Sequence, residues 1–128
     1  MPVIRHNPEK LYPQYQSYSH AIEVIPGSRL LVISGLNGYL QDGKTMPETF
    51  EEQAELIWQH MGAILESARM SYTNIISLRF YLASPEYDGE NVRLRKKYLG
   101  NHETASTVIC AQLLDPKWKL EIEAIAAE

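Results

Sequence analysis

The sequence predicts a mixed α and β fold in which the order strand, helix, strand occurs twice. Three observations carry that reading. Residues 49–68 combine a helix start with a 3.6-residue apolar period, residues 75–82 alternate with period two, and two apolar runs, 104–113 and 120–126, close the chain on either side of a Pro-containing turn. With 128 residues and 45% hydrophobic content, the chain fits one globular domain spanning residues 1–128. A chain of this size buries roughly two-thirds of the surface that its unfolded form exposes.

Residues 1–13 are rich in Pro, His, Asn and charge, and read as an N-terminal arm or short edge strand. Aromatic and β-branched residues over 18–24 predict a strand, Pro26, Gly27 and Ser28 signal a turn, and residues 29–34 contain the run Leu30, Leu31, Val32, Ile33. A hairpin of these two strands is expected. Residues 35–47, which include three glycines, read as a long loop.

Thr49 and Glu52 match a capping box, in which the Thr hydroxyl accepts from the amide three residues on and Glu52 reaches back to the cap amide. Behind this start, Ala54, Ile57, Trp58, Met61, Ile64, Leu65 and Ala68 fall on one stripe, as in a helix packed on a sheet. His60 lies off the stripe and is expected in solvent. In the strand 75–82, Ile76, Leu78, Phe80 and Leu82 should face the helices, while Ile75, Ser77, Arg79 and Tyr81 face a partner subunit or a wet cleft. After breaks at Ser84-Pro85 and Asp88-Gly89, a short helix spans about 91–99 with Gly100 as its stop. The last strand places Leu120, Ile122 and Ala124 on one face and Glu121, Glu123 and Ile125 on the other. Two carboxylates on one strand face are costly to bury alone, so that face meets solvent or hydrogen-bond donors at an interface.

Composition narrows the function. A net charge of -4 gives no steering toward phosphate backbones, which disfavours nucleic acid as a partner. Arg93, Arg95, Lys96 and Lys97 form the one basic cluster, and a charge run on a short helix is read as its solvated face. Cys110 is the sole cysteine, which excludes an intrachain disulfide and a Cys-rich zinc site and fits a reducing cytoplasm. Placed within an apolar strand, it reads as a buried structural thiol. His6, His20, His60 and His102 lack metal-ligand spacing, so neither metal nor cofactor is expected. No apolar run of signal-peptide type opens the chain and none approaches about 18 residues, which predicts a cytoplasmic protein without a membrane span.

Several stretches share a pattern with one known family. They are Val32-Ile33-Ser34-Gly35, the capped helix through Ala63-Ile64-Leu65-Glu66, the strand from Asn74-Ile75-Ile76 to Tyr81-Leu82, Asn91-Val92, and the closing pair Thr104–Leu113 and Leu120–Ala126. From about Tyr18 to Ala126 the chain resembles the RidA/YjgF family of enamine and imine deaminases, also labelled L-PSP endoribonuclease. The resemblance implies a chorismate-mutase-like α+β fold: a mixed β-sheet with two helices packed on one face. It further implies a closing hairpin and a homotrimer whose sheets form a central barrel, with a small-molecule cleft at each subunit interface. Carried over residue by residue, that cleft is lined by Tyr18, Ser34, Gly35, Asn91, Ala105 and Thr107. Glu121 corresponds to the glutamate that positions the attacking water, a task that imine hydrolysis requires of a carboxylate.

The chain departs from the family pattern at telling positions. Ala105 stands where the family has the arginine that holds the substrate carboxylate, and Glu103 and Thr104 replace the usual Pro and Ala before it. Leu36 follows Ser-Gly where a polar residue is common, and Arg69 replaces a helix-ending glycine. A guanidinium offers a carboxylate a planar two-donor fork and an alanine offers nothing, a loss of ~3 kcal/mol or about a hundredfold in affinity. The resemblance thus implies a small-molecule-binding hydrolase or deaminase for an imine, enamine or related electrophile, with standard 2-iminoacid deamination weakened or absent. A non-catalytic ligand-binding module is the alternative, and an endoribonuclease or translation inhibitor a third. Arg79, pointing away from the helices, either supplies a compensating charge at the cleft or pairs with Glu121 or Glu123. His20 sits close to the cleft, on the strand face of Tyr18.

Overall fold

The computed structural model describes residues 3–14 and 18–128. Its regular elements are, in order, β1 (Val3–His6), β2 (Ala21–Val24), β3 (Leu30–Leu36), α1 (Phe50–Ser67), β4 (Ile75–Leu82), α2 (Asp88–Leu99), β5 (Ala105–Cys110) and β6 (Leu120–Ala127). Strands β3, β6, β4 and β5 make a mixed sheet in that order, with β6 antiparallel to both neighbours and β5 parallel to β4. A parallel pair needs a crossover connection, and α2 supplies it. Strand β1 pairs with β2 in a separate antiparallel ribbon. The α+β architecture expected from the sequence, two helices packed on a mixed sheet, is the one found.

One face of the sheet is apolar. Leu78, Phe80 and Leu82 of β4 and Leu120, Ile122 and Ala124 of β6 are buried together with Ile57, Trp58, Met61 and Leu65 of α1 and Leu94 of α2. Each large side chain so buried contributes roughly 1.5–3 kcal/mol, which holds both helices on that face. On the opposite face Arg79, Tyr81, Glu121 and Glu123 stay partly or largely exposed.

Local chemistry sets the ends of α1. The Thr49 hydroxyl accepts from the Glu52 amide at 3.2 Å and donates to the Glu52 carboxylate at 2.8 Å, so that carboxylate meets the hydroxyl where the sequence predicts the cap amide. At the other end, Met70 N–H donates to the Leu65 carbonyl at 2.8 Å and Arg69 N–H to the Glu66 carbonyl at 2.9 Å, the Schellman pattern. Arg69 takes φ 59° to close it, a conformation that glycine reaches without a Cβ penalty.

Several sequence expectations need correction. Strand β2 begins at Ala21 rather than residue 18 and pairs with β1. The Pro26-Gly27 turn forms, with Gly27 at φ 86°, yet no β2–β3 hairpin follows it. Arg29 exchanges both backbone hydrogen bonds with Glu128, at 2.7 and 3.0 Å, which commits the chain to β6 just before β3 begins. The two closing strands are not a hairpin either, because β4 lies between them. Residues 111–119 cross its end, with Ala111 N–H on the Leu82 carbonyl at 2.9 Å and Ala83 N–H on the Lys119 carbonyl at 3.0 Å.

At the start of β4 the alternation inverts: Ile75 is buried and Ile76 only partly so. Ile75 opposes Ala126 while Ser77 opposes Ile125, and the bulge at Ile76 shifts the parity by one. Helix α2 begins at Asp88, so Asp88-Gly89 is its first turn and not a break. Cys110 is exposed rather than buried, because β5 has a single neighbour in the sheet. His60 is half-buried, its Nε2 donating to the Tyr39 carbonyl at 2.6 Å. Within the basic cluster Arg93, Lys96 and Lys97 are exposed, but Arg95 is buried.

Candidate functional site

The uncovered sheet face is built in rungs. Strand register aligns Ala105 with Ser77 and Ile125, then Thr107 with Arg79 and Glu123, then Ile109 with Tyr81 and Glu121. Paired residues share a face, so each rung lines up its side chains away from the helices. The chain ahead of β2 folds over the start of β5. Tyr18 bridges Thr104 in parallel sense, and Ser19 N–H donates to the Thr104 carbonyl at 3.0 Å.

This crossing walls a cleft of about 360 Å³ whose lining includes Tyr12, Tyr18, His20, Ser77, Arg79, Ala105 and Thr107. His20 stiffens the wall. Its Nε2 donates to the Tyr12 carbonyl at 2.9 Å, and its ring stands edge-on to Tyr12 and Tyr18 at 5.2 and 5.5 Å. A smaller hollow of about 130 Å³ shares Ser77 and Arg79 and continues to Val32, Glu123 and Ile125. Arg79 therefore borders both spaces.

Glu123 is the carboxylate nearest Arg79. The Arg79 Nη1 lies 3.6 Å from Glu123 Oε1, too far for a hydrogen bond, while the Tyr81 hydroxyl donates to that same oxygen at 2.8 Å. The hydrogen bond to Glu123 pushes the Tyr81 phenol above its ordinary pKa, with burial and the Glu123 charge adding to it. Arg79 thus approaches Glu123, not Glu121, and its side chain remains 64% exposed in the cleft.

Glu121 belongs to a second group. Between Ile33 and Leu36 the β3–β6 register slips by one residue, and Gly35 sits in that bulge. A Cβ at position 35 would collide with the Glu121 carboxylate oxygen, so the glycine is what admits this carboxylate. Ser34, exposed, is its chain neighbour. Asn91 joins neither group. It is 1% exposed on α2, one helical turn from Arg95, and among the described residues its side-chain atoms have no hydrogen-bond partner. The Arg95 guanidinium lies 5.8 Å above the Phe80 ring centre, and burial lowers its pKa despite the Asp88 charge.

Of the residues singled out in the sequence, Tyr18, Arg79, Ala105 and Thr107 come together in one cleft with His20, whereas Ser34, Gly35 and Glu121 meet at the β3–β6 bulge. Tyr12 and Ser77 also line the cleft. Ser77 was legible as a neighbour of Arg79 by strand parity, but nothing in the Pro-rich arm marks Tyr12.

The sequence profile described as Endoribonuclease L-PSP matches residues 10–128. The chain belongs to the Endoribonuclease L-PSP family. Among relatives of this L-PSP chain, Protein HMF1 of Saccharomyces cerevisiae is 29% identical over 112 residues, covering 88% of this chain and 84% of HMF1. Protein MMF1, mitochondrial, from the same yeast is 28% identical over 116 residues, covering 91% of this chain and 78% of MMF1. Among solved structures, a Yersinia pestis protein of unknown function from the conserved Rid protein family, YyfB, superposes with a TM-score of 0.87 at 27% identity over all of both chains. The RidA/YjgF resemblance and the L-PSP family are therefore one assignment. Among the described residues of this L-PSP protein, no helix is long and apolar enough to cross a membrane.

Proposed function

We propose that this L-PSP-family chain is a small-molecule-binding hydrolase of the RidA/YjgF kind. It acts in the cytoplasm on the C=N bond of an imine, enamine or related electrophile, and its site is completed at the subunit interface of a homotrimer. The observation that supports this most is the division of the uncovered face into two incomplete halves. Ala105, Thr107, Tyr18 and Arg79 offer a binding cleft without a carboxylate, and Glu121 offers a carboxylate at the β3–β6 bulge. A neighbouring subunit can bring one half to the other. The same face leaves Val32 and Ile109 75% and 47% exposed, and apolar surface of that kind marks an interface.

In such a site Glu121 orients a water for addition to the carbon of C=N. The carbinolamine that forms then expels its nitrogen as ammonia and leaves a carbonyl product, so that one water is consumed for each ammonia released. Ala105 withholds the usual guanidinium, which makes 2-iminopropionate and 2-iminobutyrate poor substrates. A non-catalytic ligand-binding module is the second reading, favoured by the packing of Glu121 against Gly35. RNA is disfavoured as a partner: Arg93 and Lys97 pair with Glu51 and Glu55 of α1 at 3.0 and 2.8 Å, and Arg95 is buried.

Light scattering at micromolar concentration tests the assembly, with a trimer expected and a monomer contradicting the shared site. Ammonia release from an uncharged imine at a rate above the spontaneous one supports the hydrolase. Trimer formation with no turnover supports the binding module instead.

A further inference from the structure

Among the described residues ahead of Tyr18, only Tyr12 lines the cleft on the uncovered face. It is 69% exposed, so its ring adds little to the core. The backbone that carries it is nevertheless fixed. The Tyr12 carbonyl accepts from His20 Nε2 at 2.9 Å, the Asn7 side-chain oxygen accepts from the His20 amide at 2.7 Å, and Leu11 N–H donates to the Pro8 carbonyl at 3.1 Å. A tyrosine side chain turns about two torsions alone, so a ring on a backbone held in this way is largely in place before a ligand arrives.

The rest of the lining points to what the ring meets. Tyr12, His20 and Tyr18 stand edge to face in turn, with ring centres 5.2 and 5.5 Å apart and planes at 80° and 87°. On the strand side Ser77, Ala105 and Thr107 carry neither a ring nor a long side chain, which leaves a space of about 360 Å³ beside the aromatic wall. A cation could also sit on a tyrosine face, but Arg79, the one permanently charged side chain in the lining, repels it. An alkyl group would bury area there and gain nothing from the ring quadrupoles. A neutral aromatic ring gains from both.

We propose that Tyr12 is a specificity-determining residue of this cleft, and that its ring packs against an aromatic ring carried by the substrate. The proposal rests on the small-molecule reading above and adds the class of substituent: the C=N compound bears an aryl group rather than an alkyl one. Tyr12 takes no part in the hydrolysis itself, so its effect falls on binding.

Nuclear magnetic resonance titration with benzamide and with cyclohexanecarboxamide tests this on the intact protein. The two probes are uncharged, share a carboxamide and differ in the ring, and the cyclohexyl ring is the more apolar, so burial alone works against the expected order. The wild type should bind benzamide about threefold to tenfold more tightly. Tyr12→Phe should keep that preference, whereas Tyr12→Leu, which retains apolar bulk without the ring, should lose it. The comparison of probes on the wild type needs no variant, which keeps the proposal open to test even if the Tyr12 variants fold poorly. Equal binding of the two probes by the wild type overturns the proposal, as does a preference that survives in folded Tyr12→Leu, and either result leaves the small-molecule reading standing. Binding of neither probe overturns it too, and only the added absence of ammonia release from uncharged imines, aryl and alkyl, would remove the wider reading with it.

Discussion

Arg95 carries a full charge to a place where only 4% of the residue reaches solvent, and among the described residues two of its guanidinium nitrogens have no hydrogen-bond partner. Its contact with the Phe80 ring returns part of the desolvation cost, since a desolvated cation–π contact contributes about 2 kcal/mol against several for burying the ion. Replacing it with a flexible apolar side chain of similar length should therefore stabilise the fold. Urea unfolding of Arg95→Met is expected to show a gain of about 1 kcal/mol or more, and a loss would mean that the guanidinium is held by something the apolar chain cannot replace. The burial was missed: Asn91, Leu94, Arg95, Tyr98 and Leu99 recur at helical spacing, but with Asn and Arg in that stripe the run 93–97 reads as a charged surface. The missed exposure of Cys110 has a different origin, because residue type gives no account of which strand ends the sheet.

Among the elements, α1 shows a strain that can be relieved. Arg69 at φ 59° bears the left-handed cost of about 1–2 kcal/mol for a residue with a Cβ, partly offset by the chain entropy that glycine would lose. Arg69→Gly should raise stability by about 0.5–1 kcal/mol in thermal unfolding, and an unchanged midpoint would mean that the Arg69 side chain makes compensating contacts. The α1–α2 contact makes a pH prediction. The Tyr98 hydroxyl donates to Glu55, and burial with that bond pushes the phenol from 10.0 up to about 12. Its folded value lies above the unfolded one, so its stabilising contribution is complete below pH 10 and disappears as pH rises through about 12. Tyr98→Phe should be less sensitive than wild type across that window, as read from urea midpoints, and identical slopes would contradict the assignment. Glu55 moves the other way, held below the usual carboxylate range first by Lys97 and then by Tyr98. The contribution of Glu55 is present above its ordinary value of 4.5 and fades as pH falls through the lower folded one. The stripe of α1 and the alternation of β4 and β6 were readable because they are local periods. The bulges at Ile76 and Gly35 were not, since a bulge exists only between two paired strands, and the pairing of β3 with β6 joins residues nearly a hundred positions apart.

For the molecule as a whole, the hydrolase proposed above requires a hydrolytic frame on the uncovered face, with Glu121 placed to position water and alanine at position 105 offering no anchor for a carboxylate. The family resemblance put Tyr18, Ala105 and Thr107 in one cleft together with Ser34, Gly35 and Asn91; the Tyr18–Thr104 bridge brings the first three together, and the other three lie elsewhere. The sequence did not reveal that Glu121 lies on the far side of β4 from Tyr18, Ala105 and Thr107, which is a matter of strand order alone. The most direct test is the rate of 2-iminobutyrate hydrolysis by wild type, Ala105→Arg, and Ala105→Arg combined with Glu121→Gln. One charge-assisted pair supplies a few kcal/mol, so the single variant should gain on the order of a hundredfold over a weak wild type, and the double variant should lose that gain. A folded, trimeric Ala105→Arg protein no faster than wild type, or a double variant as fast as the single one, would contradict the claim.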